Sequence, residues 1–172
     1  MTQTGGFPMM SRRNFLTSGA ALAALAAAGE ITQPARASKS GETFEITRTD
    51  AEWRGLLSEE RYRILRQEDT ERPFSSALNS EKRNGLFHCA GCGLPVYSSE
   101  AKYDSGTGWP SFWQSLPGAI GKRDDNSLFM TRTECHCRRC GGHFGHIFDD
   151  GPPPTGKRHC INGLALTFAP VL

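Results

Sequence analysis

The chain predicts a mainly β fold, antiparallel sheets with a short helical N-terminal cover and a structural four-cysteine metal site. Three observations carry this. After Gly85 the apolar residues fall in short runs bounded by Gly, Pro, Asp and Asn, the punctuation of strands and tight turns. Before Gly85 they recur at helical spacing. Two copies of Cys-x-x-Cys-Gly stand within the strand-rich region, the spacing of a metal knuckle.

In chain order, Ser11-Arg12-Arg13-Asn14-Phe15-Leu16 runs into an Ala- and Leu-rich stretch with no charge before Glu30, followed by Ala35-Arg36-Ala37. A basic start, a short apolar core and an Ala-x-Ala site describe an export signal, and the paired arginines before Phe-Leu point to the twin-arginine route. The apolar run falls short of the roughly 20 residues that span a bilayer. The expectation is a signal over residues 1–37, periplasmic localisation and no stable membrane association after cleavage; an uncleaved anchor is the alternative. Without Arg12, Arg13, Arg36 and Glu30 the remainder carries 17 basic and 17 acidic residues. Such a neutral chain lacks the basic field that nucleic-acid binding uses.

Residues 38–48 are polar and read as a flexible start, with the folded domain over 49–172. Asp50 is placed to cap a helix carrying Trp53, Leu56 and Leu57, and Ser58 to cap a second carrying Tyr62, Ile64 and Leu65. Residues 69–84 read as a connecting loop. Strands are expected at Leu86-Phe87-His88, Pro95-Val96-Tyr97, Leu128-Phe129-Met130, and over 144–148 and 164–168.

Cys89-Ala90-Gly91-Cys92-Gly93 and Cys137-Arg138-Arg139-Cys140-Gly141 supply four sulfurs. Two residues between cysteines let a turn aim both at one ion, and the glycine lets the backbone curl beneath them. The ligand set Cys89, Cys92, Cys137 and Cys140 suits one structural Zn²⁺ with no open position; iron takes the same ligands. Redox dithiols, or disulfides formed after export, are the other readings. A closed cage puts catalysis elsewhere.

Cys160 stands apart from both pairs. If residues 158–162 are extended, alternation puts Arg158, Cys160 and Asn162 on one face. Arg158 would favour the thiolate, the useful nucleophile, and Asn162 would bond a polar oxygen. His143 and His146 would donate protons to a leaving oxygen, but three residues apart they face one way only if their segment bends. The bland alternative is a buried Cys160 and histidines satisfied in the core.

These blocks carry a resemblance. Glu71-Arg72-Pro73-Phe74, Cys89 to Gly93, Tyr103-Asp104-Ser105-Gly106-Thr107-Gly108-Trp109-Pro110-Ser111-Phe112, Cys137 to Pro152 and Arg158-His159-Cys160-Ile161-Asn162 occur in an order that resembles the B-type methionine sulfoxide reductases. The likeness runs from about Asp50 to Phe168. It implies a β-tent-like fold and structural zinc. It also implies reduction of the R epimer of methionine sulfoxide in proteins, with a Cys160 sulfenic acid intermediate. Trp109 would hold the substrate methyl group, with Phe112 and Phe148 as further lining or, equally, as core residues; His143, His146, Asn162 and Arg158 would serve the reaction. Many family members carry a second, resolving cysteine in the Ser-Gly-x-Gly-Trp-Pro loop, where this chain has Thr107. That implies recycling by a small thiol or a thioredoxin-like partner, or by Cys135, whose bland reading is an inert buried thiol.

Overall fold

The computed structural model describes residues 1–2, 41–127 and 131–171. The chain divides after Thr32 into two units, and every helix and strand among the described residues belongs to the unit from Gln33 onward. Apart from its first two residues, the expected export signal lies outside the described residues, as do residues 38–40 and the strand expected at 128–130. Among the described residues no helix is long and apolar enough to cross a membrane.

Helix α1 spans Asp50–Leu56 and α2 spans Glu59–Gln67. The cap of α1 is Thr49 rather than the expected Asp50. Thr49 Oγ1 accepts from Glu52 N and Thr49 N donates to the Glu52 carboxylate, a reciprocal box written as Thr-x-x-Glu. Asp50 instead sits in the first turn and pairs with Arg54 at 2.9 Å. Ser58 caps α2 as the sequence suggests, its hydroxyl accepting from Arg61 N. Trp53, Tyr62, Ile64 and Leu65 are buried, and α2 lies against strand β7 (His143–Phe148) and the turn at Gly163–Ala165.

The remaining strands are β1 (Gly85–Cys89), β2 (Pro95–Ser98), β3 (Lys102–Tyr103), β4 (Ser111–Phe112), β5 (Ile120–Asp125), β6 (Arg132–Cys137), β8 (Arg158–Ile161) and β9 (Leu166–Pro170). They form a three-stranded sheet in the order β2-β1-β9 and a six-stranded sheet in the order β3-β4-β8-β7-β6-β5. Every pairing is antiparallel. The mainly β, antiparallel expectation therefore holds. Strand β5, Ile-Gly-Lys-Arg-Asp-Asp, escaped the apolar pattern. It is an edge strand whose Arg123 and Asp125 pair with Glu134 and Arg132 on β6, so charge complementarity replaces apolar burial.

Aromatic rings fill the core. Tyr97 stacks on Phe112 at 4.3 Å, and Phe87 meets Phe112 edge-on at 5.0 Å and Phe168 at 4.9 Å. Cys135, Phe144 and Ile161 are fully buried with them.

The segment ahead of α1 departs from the flexible reading. Ile46 N donates to Arg139 O at 3.0 Å, Glu45 pairs with Arg138 at 2.6 Å, and Phe44 meets the His136 ring edge-on at 5.7 Å. Polar composition concealed an apolar anchor, Phe44 and Ile46, pressed onto the second cysteine knuckle.

Candidate active site and metal centre

The two knuckles have the same backbone plan. Cys89 N donates to Leu94 O and Gly93 N to Cys89 O; Cys137 N donates to Gly142 O and Gly141 N to Cys137 O, all at 2.8 to 2.9 Å. Gly93 and Gly141 both take φ near +70°, where a side chain is disfavoured. The four sulfurs lie within 4.8 Å of one another, Cys89 to Cys140 at 3.7 Å and Cys92 to Cys137 at 3.5 Å. A tetrahedral ion with metal–sulfur bonds of about 2.3 Å requires sulfurs about 3.8 Å apart, so the donors fit a closed site. Hydrogen bonds among the sulfurs, Cys137's foremost, push the Cys89 thiol up and the Cys92 thiol down. Cys89 ends β1 and Cys137 ends β6, so an ion held here ties one sheet to the other. Arg66 on α2 donates to Cys140 O at 2.9 Å.

Cys160 lies elsewhere, on β8. The registers Tyr103↔Ser111, Ser111↔Cys160, Cys160↔His146, His146↔Glu134 and Glu134↔Arg123 run one row of side chains across all six strands. Residues directly opposite share a face. Cys160 is half-buried and Glu134 is 3% exposed.

His143 and His146 both reach this face because β7 carries a bulge. Cys135 pairs with Gly145 and His136 with His143, two steps on β7 against one on β6. Gly145 makes it possible: its φ is 152°, and a Cβ there would overlap the Cys160 carbonyl. The two rings lie 5.6 Å apart. Each is held by a carboxylate, His143 Nδ1 by Glu134 at 2.6 Å and His146 Nε2 by Asp125 at 2.7 Å. A carboxylate only accepts, so both of those nitrogens carry protons. Burial works to raise the Glu134 carboxyl, but hydrogen bonds from His143 and Arg123 bring it down to about 2. Burial pushes His146 toward its neutral form against the Asp125 bond. His143 Nε2 is buried and has no hydrogen-bond partner among the described residues.

Arg158 falls on the Cys160 face, as alternation predicts. Its guanidinium grips Asp150 with two bonds of 2.8 Å and lies 4.4 Å from the centre of the Phe148 ring, which is half-buried. Burial pushes the Cys160 thiol up; the Thr107 hydroxyl, when it donates to the sulfur, and the Arg158 guanidinium pull the other way without overcoming it. Thr107 Oγ1 is 3.9 Å from Cys160 Sγ and heads a chain of hydroxyls: Thr107 to Ser105 at 2.9 Å, Ser105 to Ser111 at 2.7 Å, Ser111 to Trp109 O at 3.1 Å. A carbonyl only accepts, so Ser111 donates to it, Ser105 to Ser111 and Thr107 to Ser105. The Cys160 S–H is then the donor to Thr107. For Thr107 to donate to a thiolate, the chain must reverse.

Two expected site residues lie differently. Phe112 is fully buried, stacked on Tyr97 on the core face; the register sets Ser111, not Phe112, beside Cys160. Strand β8 ends at Ile161, and Asn162 serves as a brace. Its side-chain Oδ1 accepts from Glu71 N at 3.0 Å and its side-chain Nδ2 donates to Phe144 O at 3.0 Å. Glu71 extends that brace: its backbone oxygen takes the Trp109 indole N–H at 3.0 Å and its carboxylate takes Gly163 N and Leu164 N. Trp109 is thereby fixed, half-buried, at the end of the Thr107 loop.

Cys135 is excluded as a partner for Cys160. It is fully buried on the core face, against Tyr97 Oη at 3.9 Å, and burial pushes its thiol up to about 12. Strand β7 separates the two cysteines, a lateral gap of about 9–10 Å, and they point to opposite faces. A disulfide needs Cα atoms within about 7 Å.

Sequence reasoning missed Glu134, Asp125, Arg123, Ser105, Ser111 and Glu71. Glu71, Ser105 and Ser111 stand within the quoted blocks but carried no role there, and Glu134, Asp125 and Arg123 lie outside them; each acquires its role from a strand pairing or a turn contact.

An antiparallel β protein with a closed sulfur cage and a separate free thiol beside carboxylate-braced histidines is thus defined by fold and geometry. The SelR domain family matches residues 57–170. The chain is 53% identical over 124 residues to the peptide methionine sulfoxide reductase MsrB of Thiobacillus denitrificans, covering 72% of this chain and 94% of that one. The same-named protein of Agrobacterium fabrum is 47% identical over 128 residues, 74% of this chain and 95% of the relative. That of Leptospira interrogans is 48% identical over 126 residues, 73% and 96%. The chain belongs to the peptide methionine sulfoxide reductase MsrB family.

Proposed function

We propose that this protein repairs oxidised proteins by reducing the R epimer of methionine sulfoxide, with Cys160 as nucleophile. The observation that carries the reading is a half-buried thiol on one sheet face with His143, whose Nε2 has no protein partner among the described residues while Glu134 holds its other nitrogen. The Cys160 thiolate attacks the sulfoxide sulfur. The S–S bond so formed is transient: the sulfoxide oxygen takes a proton, the hydroxyl moves to the Cys160 sulfur as the methionine S–O and S–S bonds break, and sulfenic acid and methionine result. The cysteine sulfur gives up two electrons and the methionine sulfur gains them. His143 and His146 supply and direct that proton. Arg158 favours the thiolate, and Trp109 and Phe148 flank the thioether with apolar surface.

An external thiol, small or on a thioredoxin-like protein, attacks the sulfenic acid to give a mixed disulfide and water, and a second thiol releases Cys160. Thr107 at the loop position and Cys135 on the far face both favour this route. The four cysteines hold one Zn²⁺, which orders the sheets and takes no part in the chemistry. Residues 1–37 act as a twin-arginine signal and the enzyme works in the periplasm, a reading supported by Arg12-Arg13 and the Ala-x-Ala site.

The test assays Cys160→Ser on each sulfoxide epimer with dithiothreitol as reductant. Wild type turns over the R epimer alone, and the variant loses at least about 10³-fold. An R-epimer rate that survives the substitution overturns the mechanism.

A further inference from the structure

Residues 72–75 form a tight turn. Ser75 N donates to Arg72 O at 3.3 Å, and Ser75 Oγ donates to the same carbonyl at 2.7 Å. Pro73 holds the second position and Phe74 the third, with φ 64°. This is the type II arrangement, whose third position favours glycine because a side chain disfavours positive φ. Phenylalanine there costs conformational energy, and burial does not offset it: Phe74 is 72% exposed. A residue that breaks a local rule with no structural return is a candidate for function.

The turn is fastened to the loop that touches Cys160. Phe74 N donates to Gly108 O at 2.7 Å, and Asn79 Nδ2 reaches the same oxygen at 2.9 Å. A Cβ at Gly108 would stand 2.8 Å from Pro73 Cβ and 2.9 Å from Phe74 N. Thr107, the preceding residue, lies against Cys160 Sγ, and Trp109, the following one, is tied to Glu71 O. Consecutive Cα atoms are about 3.8 Å apart, so the exposed ring stands at the margin of the site and outside its half-buried floor. The turn fixes the backbone from which the ring projects before anything binds, which limits the backbone entropy lost on contact.

We propose that Phe74 is a specificity-determining contact for the polypeptide around the oxidised methionine. An apolar side chain one or two residues from the sulfoxide lies on the Phe74 ring while the thioether enters beside Trp109. The inference rests on the reading that this site reduces protein-bound methionine sulfoxide.

The test compares kcat/KM of the full chain, with dithiothreitol, on two pentapeptides bearing a central methionine-R-sulfoxide, one flanked by leucines and one by serines. Wild type prefers the leucine peptide by roughly fivefold or more. That ratio falls to about one in Phe74→Ala and Phe74→Gly and persists in Phe74→Leu. Glycine suits the turn, so a lost preference in Phe74→Gly does not come from collapse of the backbone. A wild-type ratio near one, or an unchanged ratio in both the alanine and glycine variants, overturns the proposal. Failure of the underlying reading looks different: wild type would turn over neither peptide.

Discussion

The sulfur cage takes its ligands from two five-residue segments, whereas the row around Cys160 takes one side chain from each of six strands. Each knuckle makes its own backbone bonds, identical in pattern, and carries its own glycine at positive φ. Folding need only bring two finished halves together. The row has no such halves. Its histidines share a face through one bulge, and their carboxylates arrive from β5 and β6. Cage and row should therefore fail differently: the cage by loss of fold with its ion, the row by loss of chemistry within a standing fold.

The largest contrast comes from exchanging one cysteine in each region. Cys137→Ser removes one of four ligands from an ion whose binding is coupled to folding by on the order of 10 kcal/mol. The expected result is a protein without stoichiometric metal and without a cooperative melt. Cys160→Ser should retain its metal and melt within a few degrees of wild type. Elemental analysis and calorimetry of the two variants check this, and equal damage from both would erase the distinction between the regions.

Next in size is Gly145→Ala. The added Cβ meets the Cys160 carbonyl at a φ that alanine avoids, so a loss of about 3 kcal/mol is expected in denaturant unfolding, together with loss of turnover. Metal content should survive, because the bulge lies outside the knuckles.

Glu134→Gln sharpens the electrostatic side. With its carboxyl held at about 2, Glu134 contributes stability that is present above the ordinary carboxylate pKa near 4.5 and is lost as pH falls toward 2. The variant should lose about 2 kcal/mol at pH 7 and show a flatter stability profile from pH 4.5 down to 2. An unchanged profile would remove Glu134 from the account of how His143 is held.

The smallest effect tests the hydroxyl chain. Burial holds the Cys160 thiol up, so alkylation by iodoacetamide should climb about tenfold per pH unit between pH 7 and 8.5. Ser111→Ala removes the link to the Trp109 carbonyl and frees Ser105 and Thr107 to reverse. Alkylation at pH 7 should then rise roughly threefold, the worth of one hydrogen bond.

Legibility followed the same division. The cage could be read from the chain, because its spacing and glycines are contiguous and act locally. The helices were legible too, though Thr-x-x-Glu, not Asp50, marks the start of α1. Cys160 and Arg158 could be put on one face by alternation within a single strand. Phe112 could not be told from a substrate wall, since aromatic residues serve cores and sites alike and only the β4–β8 register decides. Asn162 lay one residue past the point where alternation stops applying. Glu134 sat unread in Thr-Glu-Cys-His-Cys because its partner His143 is supplied by a different strand.

By itself the sequence determined the metal knuckles, the antiparallel β character and the isolation of one thiol, since these come from residue type at fixed short spacings. Only the tertiary structure decided which side chains surround that thiol, why two histidines three residues apart face one way, and why Cys135 is out of reach. Those are questions of strand register, and a shift of one residue turns every side chain to the other face.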